Sequence, residues 1–194
     1  MQAQIYLITP PNADASFADQ LADALKGNEV AALLIQRGDR EDDAYIEVAK
    51  KLIPVAQNEG CAALLDNMPE AVKKLGADGV HMTGNVKSIQ TAVKNLKPDA
   101  IVGAGGVHSK HDAMTKGEID VDYVFFGALA GSNEDELSAN ELATWWADTF
   151  NVPAVCFDEG KGSTDAFEFV AVRESIWSAD NPNAAIKALS EASA

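Results

Sequence analysis

The chain has 194 residues, 47% of them hydrophobic and 23% charged, which supplies apolar material for one substantial core and matches one domain spanning residues 1–194. A formal charge of −15 sets the surface against phosphate backbones and anionic lipid, so nucleic acid and membrane are excluded as partners. A phosphorylated ligand then needs a positive pocket of its own, because the long-range field repels it.

The first apolar run, residues 5–8, reads as a strand, and Phe17, Leu21, Ala24 and Leu25 follow it at helical spacing with Ser16 as N-cap and Gly27 beyond the end. Run 31–35 is followed by the stripe Ile46, Ala49, Leu52 and Ile53, closed by Gly60. Run 62–65 precedes Ala71, Val72 and Leu75, closed by Gly76, and run 79–82 precedes Ile89, Ala92, Val93 and Leu96. Runs 100–102, 123–126, 154–157 and 169–172 complete the series. Residues 131–136 read as an exposed acidic loop, and one of Trp145 and Trp146 belongs in the core. Segment 159–165 (EGKGSTD) is too short and glycine-rich for a full helix.

Short runs that are apolar on both faces suit parallel strands covered on both sides. With helical stripes between most of them, the expected α/β fold is a TIM (β/α)8 barrel with a shortened seventh helical segment. An open flavodoxin-like sheet of about five strands is the alternative. No apolar run approaches a membrane span, and MQAQIYLITPP lacks a signal-peptide pattern, so the expected location is cytoplasmic. Cys61 and Cys156 lack any CxxC or Cys/His spacing and read as buried free thiols.

A parallel barrel gathers its reacting groups at the C-terminal ends of its strands. Those ends carry Thr9, then Gln36 to Arg40, Asp66 and Asn67, His81 to Asn85, Gly103 to Gly106, Gly127 and Ala128, Asp158 and Glu159, and Arg173 and Glu174. The GAGG stretch lacks nucleotide-loop spacing and reads as a strand-end turn that lets backbone approach a ligand.

The collinear pieces Tyr6-Leu7-Ile8-Thr9, Leu34-Ile35-Gln36, Gly76-Ala77-Asp78-Gly79-Val80-His81 and Asp122-Tyr123-Val124 resemble the thiamine phosphate synthase and TenI family over about residues 5 to 176. The resemblance implies a TIM barrel that joins a pyrimidine diphosphate to a thiazole phosphate, releasing pyrophosphate with magnesium assistance. Gln36 matches the family's Gln-x-Arg-x-Lys, where Gly38 stands for the arginine and Arg40 for the lysine. The family's Asn-Asp-Arg becomes Asp66-Asn67-Met68, which shifts the metal carboxylate by one residue onto Asp66. Its His-Leu-Gly-Gln-Glu-Asp becomes His81-Met82-Thr83-Gly84-Asn85-Val86, without the second metal carboxylate. Ala128 to Gly131 replaces Thr-x-Thr-Lys, while Asp158, Glu159 and Glu174 stand where a phosphate cup is expected, each like-charge contact at ~4 Å costing on the order of 1 to 4 kcal/mol.

The resemblance thus implies substrate contacts at Gln36, Arg40, Asn67, His81, Gly103, Gly105 and Arg173, a metal ligand in Asp66, and magnesium as cofactor. Arg37, Lys161 and Arg173 are candidate replacements for the missing cations. A lone strand-end histidine such as His81 is also read as a hydrogen-bonded structural residue. The altered positions predict weak or absent synthase activity. They leave open a non-catalytic or regulatory barrel that binds thiamine or a pyrimidine, since an acidic rim suits a cation. A third reading is unrelated acid–base chemistry by His81, Asp66 or His108. The apolar barrel ends and the resemblance admit a homodimer.

Overall fold

The computed structural model describes residues 3–129, 137–157 and 166–192. In chain order they form β1 (Gln4–Ile8), α1 (Phe17–Leu25), β2 (Ala32–Ile35), α2 (Asp42–Asn58) and β3 (Ala62–Asp66). A 3-10 turn at Pro69–Ala71 leads into α3 (Val72–Leu75), followed by β4 (Gly79–Met82), α4 (Val86–Leu96) and β5 (Ile101–Val107). Next come α5 (Lys110–Gly117), β6 (Tyr123–Phe126), α6 (Ala139–Thr149), β7 (Ala154–Phe157), β8 (Phe169–Val172), α7 (Glu174–Trp177) and α8 (Pro182–Ala192). All eight strands pair in parallel with their sequence neighbours and β8 returns to β1, closing the barrel.

The two-residue period of a strand sorts its side chains. Ile5, Leu7, Leu33, Ile35, Val80, Val124, Phe126, Val170 and Val172 face the helices, whereas Tyr6, Ile8, Leu34, Leu64, Tyr123, Phe125, Val155 and Ala171 fill the barrel. Burying each large aliphatic or aromatic side chain stabilises by roughly 1.5–3 kcal/mol. The helical stripes expected for α1 to α4 all face or pack against the outer core. Trp146 is buried, its Nε1 donating to the Val152 carbonyl (2.7 Å), while Lys110 lies over the ring of Trp145. Cys61 and Cys156 are buried and not joined in a disulfide, and burial pushes the Cys61 thiol up to about 12.

The Gly76–His81 stretch has a separate physical reason at almost every position. Gly76 ends α3 at φ +70, and the Ala77 amide donates to Val72 (3.1 Å). Asp78 accepts from the Ala63 amide (2.7 Å) and Gln57 Nε2 (3.0 Å), tying the start of β3 to β4. A Cβ on Gly79 would lie 2.3 Å from the Ile101 carbonyl, so the two strands close together only around glycine. Val80 packs outward and His81 points inward. Asp122 and Glu168 repeat the carboxylate device, accepting from the amides of Val102 and Ala154 (both 2.8 Å). Asp78→Ala is expected to lose about 1–3 kcal/mol of stability, because the Ala63 amide loses its acceptor; urea unfolding at pH 7 checks it.

Two local expectations are corrected. Ser16 does not cap α1 with its side chain; Asp14 Oδ1 accepts from both the Ser16 amide (2.8 Å) and its hydroxyl (2.5 Å), so the carboxylate fixes the turn. The GAGG stretch is not a turn after β5 but part of the strand, with a register shift between Ala104 and Val107 and Gly106 at φ +64. The strand continues because Gly103 and Gly105 leave room for aromatic rings from neighbouring strands. The acidic loop at 131–136 and the shortened segment at 159–165 lie outside the described residues.

Candidate active site

At the C-terminal mouth of the barrel a cavity of about 390 Å³ is lined by Gln36, Asp66, Asn67, His81, Thr83 and His108, with backbone from Gly106, Gly127 and Leu129. Another of about 360 Å³ opens at the opposite mouth, beside Gln4, Asn28 and Glu59. That face carries strand starts, which serve stability in this fold, so the chemistry belongs to the first cavity.

Strand parity delivers Gln36, Asp66 and His81 to the interior, because each follows an inward residue by two. Arg173 follows inward Ala171 in the same way and donates from Nη1 to Gln36 Oε1 (2.9 Å) and the Leu129 carbonyl (3.0 Å), its guanidinium 5.4 Å from the Phe157 ring centre. The Gln36 amide donates to Thr9 Oγ1 (3.0 Å), which fixes the glutamine at the rim. Arg173 and Gln36 therefore form one polar bridge across the top of β1.

Arg40 and Arg37 point elsewhere. Arg40 donates to the carbonyls of Gln36 (3.1 Å), Arg37 (2.8 Å) and Ala13. Arg37 donates from Nε to the Arg40 carbonyl (3.0 Å) and pairs with Asp42. Both guanidinium groups brace the loop after β2. Lys161 lies outside the described residues.

Tyr45 of α2, fully buried, donates to the Ile35 carbonyl and accepts from the Asp66 amide (both 2.7 Å), locking the ends of β2 and β3 together. The Asp66 carboxylate accepts from the Arg37 amide (3.0 Å) and from Asn67 Nδ2 (2.8 Å). Burial raises its pKa above the usual carboxylate value, and these two donors oppose the rise. Asn67 leaves the strand at φ +53, so strand alternation does not set its direction. Its Nδ2 donates to Thr83 Oγ1 (2.8 Å), its Oδ1 accepts from the Thr83 amide (2.8 Å), and its own amide donates to the His81 carbonyl (2.9 Å).

His81 lies fully buried at the floor of the cavity. Its Nδ1 shares a hydrogen bond with Tyr123 Oη (3.0 Å), which shares another with Tyr6 Oη (2.8 Å). Nε2 has no partner among the described residues and faces Gly105, where a Cβ would come within 2.6 Å. A Cβ on Gly103 would lie 1.9 Å from Cζ of Tyr123. These glycines thus serve the His81 and Tyr123 rings rather than lining the cavity themselves. Burial, with a smaller contribution from Lys116, pushes the His81 pKa down to about 3, so the imidazole is neutral at pH 7.

The sequence reading placed Thr83 on the rim without a role, and missed the Tyr6–Tyr123 pair and Lys116. The tyrosines were legible through alternation with Ile8 and Phe125. Lys116, a buried lysine on α5, donates to the carbonyls of Gly105 (2.8 Å) and Gly106 (2.6 Å); burial lowers its pKa and Asp112 opposes that. Its spacing of three from buried Ala113 was the available signal.

The unfolded chain protonates His81 near pH 6.5, the folded one near 3. Stability from this group is therefore complete above about pH 6.5 and declines as pH falls towards 3, by at most ~1.4 kcal/mol per pH unit. Asp66 acts in the opposite sense, its raised pKa favouring the fold at low pH. Because both proteins keep Asp66, the comparison with His81→Asn isolates the histidine. Between pH 7 and 4 the urea midpoint of the parent is expected to fall further than that of the variant.

The model of the thiamine monophosphate synthase family matches residues 5–158. The chain belongs to the thiamine monophosphate synthase family. A thiamine-phosphate synthase of Hyphomonas neptunium is 34% identical over 203 residues, covering 96% of this chain and 92% of that one. A thiamine-phosphate synthase of Rhodospirillum centenum is 36% identical over 156 residues, 78% of this chain and 75% of the relative. Among solved structures, thiamine phosphate pyrophosphorylase from Pyrococcus furiosus superposes with a TM-score of 0.80 at 18% identity, covering 99% of this chain and 97% of that one. A 3-hexulose-6-phosphate synthase superposes at 0.75 with 19% identity, which shows the shared barrel. No helix among the described residues is long and apolar enough to cross a membrane.

The magnesium implied by the family does not fit the donors of this rim. Asp66 is a single buried carboxylate with both oxygens accepting from protein donors. Asn67 and Thr83 are neutral and engaged with each other, and Val86, at the position of the second metal carboxylate, packs against the core. Among the described residues no three His, Cys, Asp or Glu side chains gather to hold a metal.

Proposed function

We propose that this chain is a thiamine phosphate synthase, coupling a pyrimidine diphosphate to a thiazole phosphate with release of pyrophosphate. The observation that carries the reading is the convergence of Gln36, Asp66, Asn67 and His81 on one cavity at the reactive mouth of the barrel. Relatives named thiamine-phosphate synthase support it and favour it over a barrel that only binds thiamine or a pyrimidine.

In this chemistry the bond between the pyrimidine methylene carbon and the diphosphate oxygen breaks, and its electron pair leaves with pyrophosphate. The thiazole nitrogen then gives its lone pair to that carbon. No side-chain nucleophile takes part, so the protein's contribution is positioning and electrostatic stabilisation. Arg173, bonded to Gln36 and the Leu129 carbonyl at the cavity wall and paired with Glu174, is the cation assigned to the departing diphosphate. Neutral His81, held by Tyr123, offers Nε2 as a hydrogen-bonding atom rather than a charge. The reading takes residues 1–194 as one cytoplasmic domain with small-molecule substrates, and it admits a homodimer.

The test is enzyme-coupled detection of pyrophosphate. Release is expected only when both substrates and the protein are present. Release that never exceeds that of a heat-inactivated sample, or that ignores the thiazole phosphate, would falsify the proposal.

A further inference from the structure

We infer that the rim between β3 and β4 takes no divalent cation of its own, because Asn67, at the first position that the family resemblance assigns to a metal carboxylate, is neutral and clamped to Thr83, and the second position is Val86. The clamp is reciprocal: the Asn67 amide nitrogen donates to the Thr83 hydroxyl while the Thr83 backbone donates to the Asn67 amide oxygen, both at 2.8 Å. A second donation from Asn67 Nδ2 to Asp66 turns the neighbouring carboxylate towards the amide. The other Asp66 oxygen accepts from the Arg37 backbone. Asn85, three residues from the end of β4, uses its side-chain oxygen to cap α4 at the Ser88 amide (3.0 Å).

Charge and geometry act together. Magnesium and manganese shed water only for hard oxygen ligands in near-octahedral array, with carboxylate charge offsetting the dehydration. Entry here would break one amide–hydroxyl and one amide–amide hydrogen bond to gain neutral donors beside the Asp66 carboxylate, with Asp39, on the loop after β2, the other carboxylate lining the cavity. The inference deepens the synthase reading by stating its metal requirement, yet it is tested without turnover.

A manganese titration followed by amide NMR separates the rim from the acidic surface, which collects cations through the charge of −15. At one equivalent, the amides of Asn67 and Thr83 are expected to broaden no more than the buried amide of Val155. In Asn67→Asp, the added carboxylate beside Asp66 is expected to tighten manganese about tenfold or more and to broaden Thr83 selectively. Selective broadening of Asn67 and Thr83 in the parent protein overturns the inference. So does an Asn67→Asp variant that stays as unbroadened as the parent, since the neutral amide would then not be what excludes the cation. Failure of the synthase reading appears separately, as absent pyrophosphate release.

Discussion

Replacing Arg173 with alanine is expected to lower kcat/KM by about 10²- to 10³-fold, the loss typical when a preorganised donor to developing negative charge is removed. Arg173 is the guanidinium that reaches the cavity wall, through Nη1 bonds to Gln36 and the Leu129 carbonyl. Arg40→Ala makes the contrast, because its hydrogen bonds go to the carbonyls of Ala13, Gln36 and Arg37 and it does not line the cavity. It is expected to cost about 1–3 kcal/mol of stability while kcat/KM changes within about threefold. Steady-state kinetics beside urea unfolding of both variants checks the split. A large catalytic loss in Arg40→Ala with unchanged stability would restore the role that the resemblance assigns to Arg40.

Gly103→Ala is expected to be strongly damaging, costing on the order of 3 kcal/mol. The new methyl would sit 1.9 Å from the Tyr123 ring, which cannot retreat without giving up its bonds to Tyr6 and His81. Tyr123→Leu removes the obstacle, so the double variant is expected to be destabilised by at least about 1 kcal/mol less than the sum of the single changes. Urea unfolding of the three proteins measures that coupling. A Gly103→Ala protein within about 0.5 kcal/mol of the parent contradicts the packing described here.

Much of the fold was legible because a parallel strand covered on both faces must be apolar throughout, and every such run became a strand. The failures have local causes. β5 outlasted its apolar letters because glycine was read as a turn signal, whereas Gly103 and Gly105 supply space for side chains from β6 and β4. Strand parity also announced which rim residues face inward: Gln36, Asp66, His81 and Arg173 all stand two residues after an interior position. Parity said nothing about Arg37, Arg40 and Asn67, which lie beyond the strands, where turns decide direction. The Asn67–Thr83 clamp needs the β3–β4 register, Asp66 against His81, before the two side chains are seen as neighbours. The Gly76–His81 stretch carried the family resemblance, and most of its residues, Gly76 to Gly79 in particular, serve the fold rather than the chemistry.

The central claim is tested most directly by incubating the purified protein with the pyrimidine diphosphate and thiazole phosphate and measuring thiamine phosphate as thiochrome fluorescence, with an active family member as control. The account predicts product that accumulates with time, depends on both substrates and falls about 10²-fold or more in Arg173→Ala. A folded sample that forms no product while the control enzyme does would contradict it.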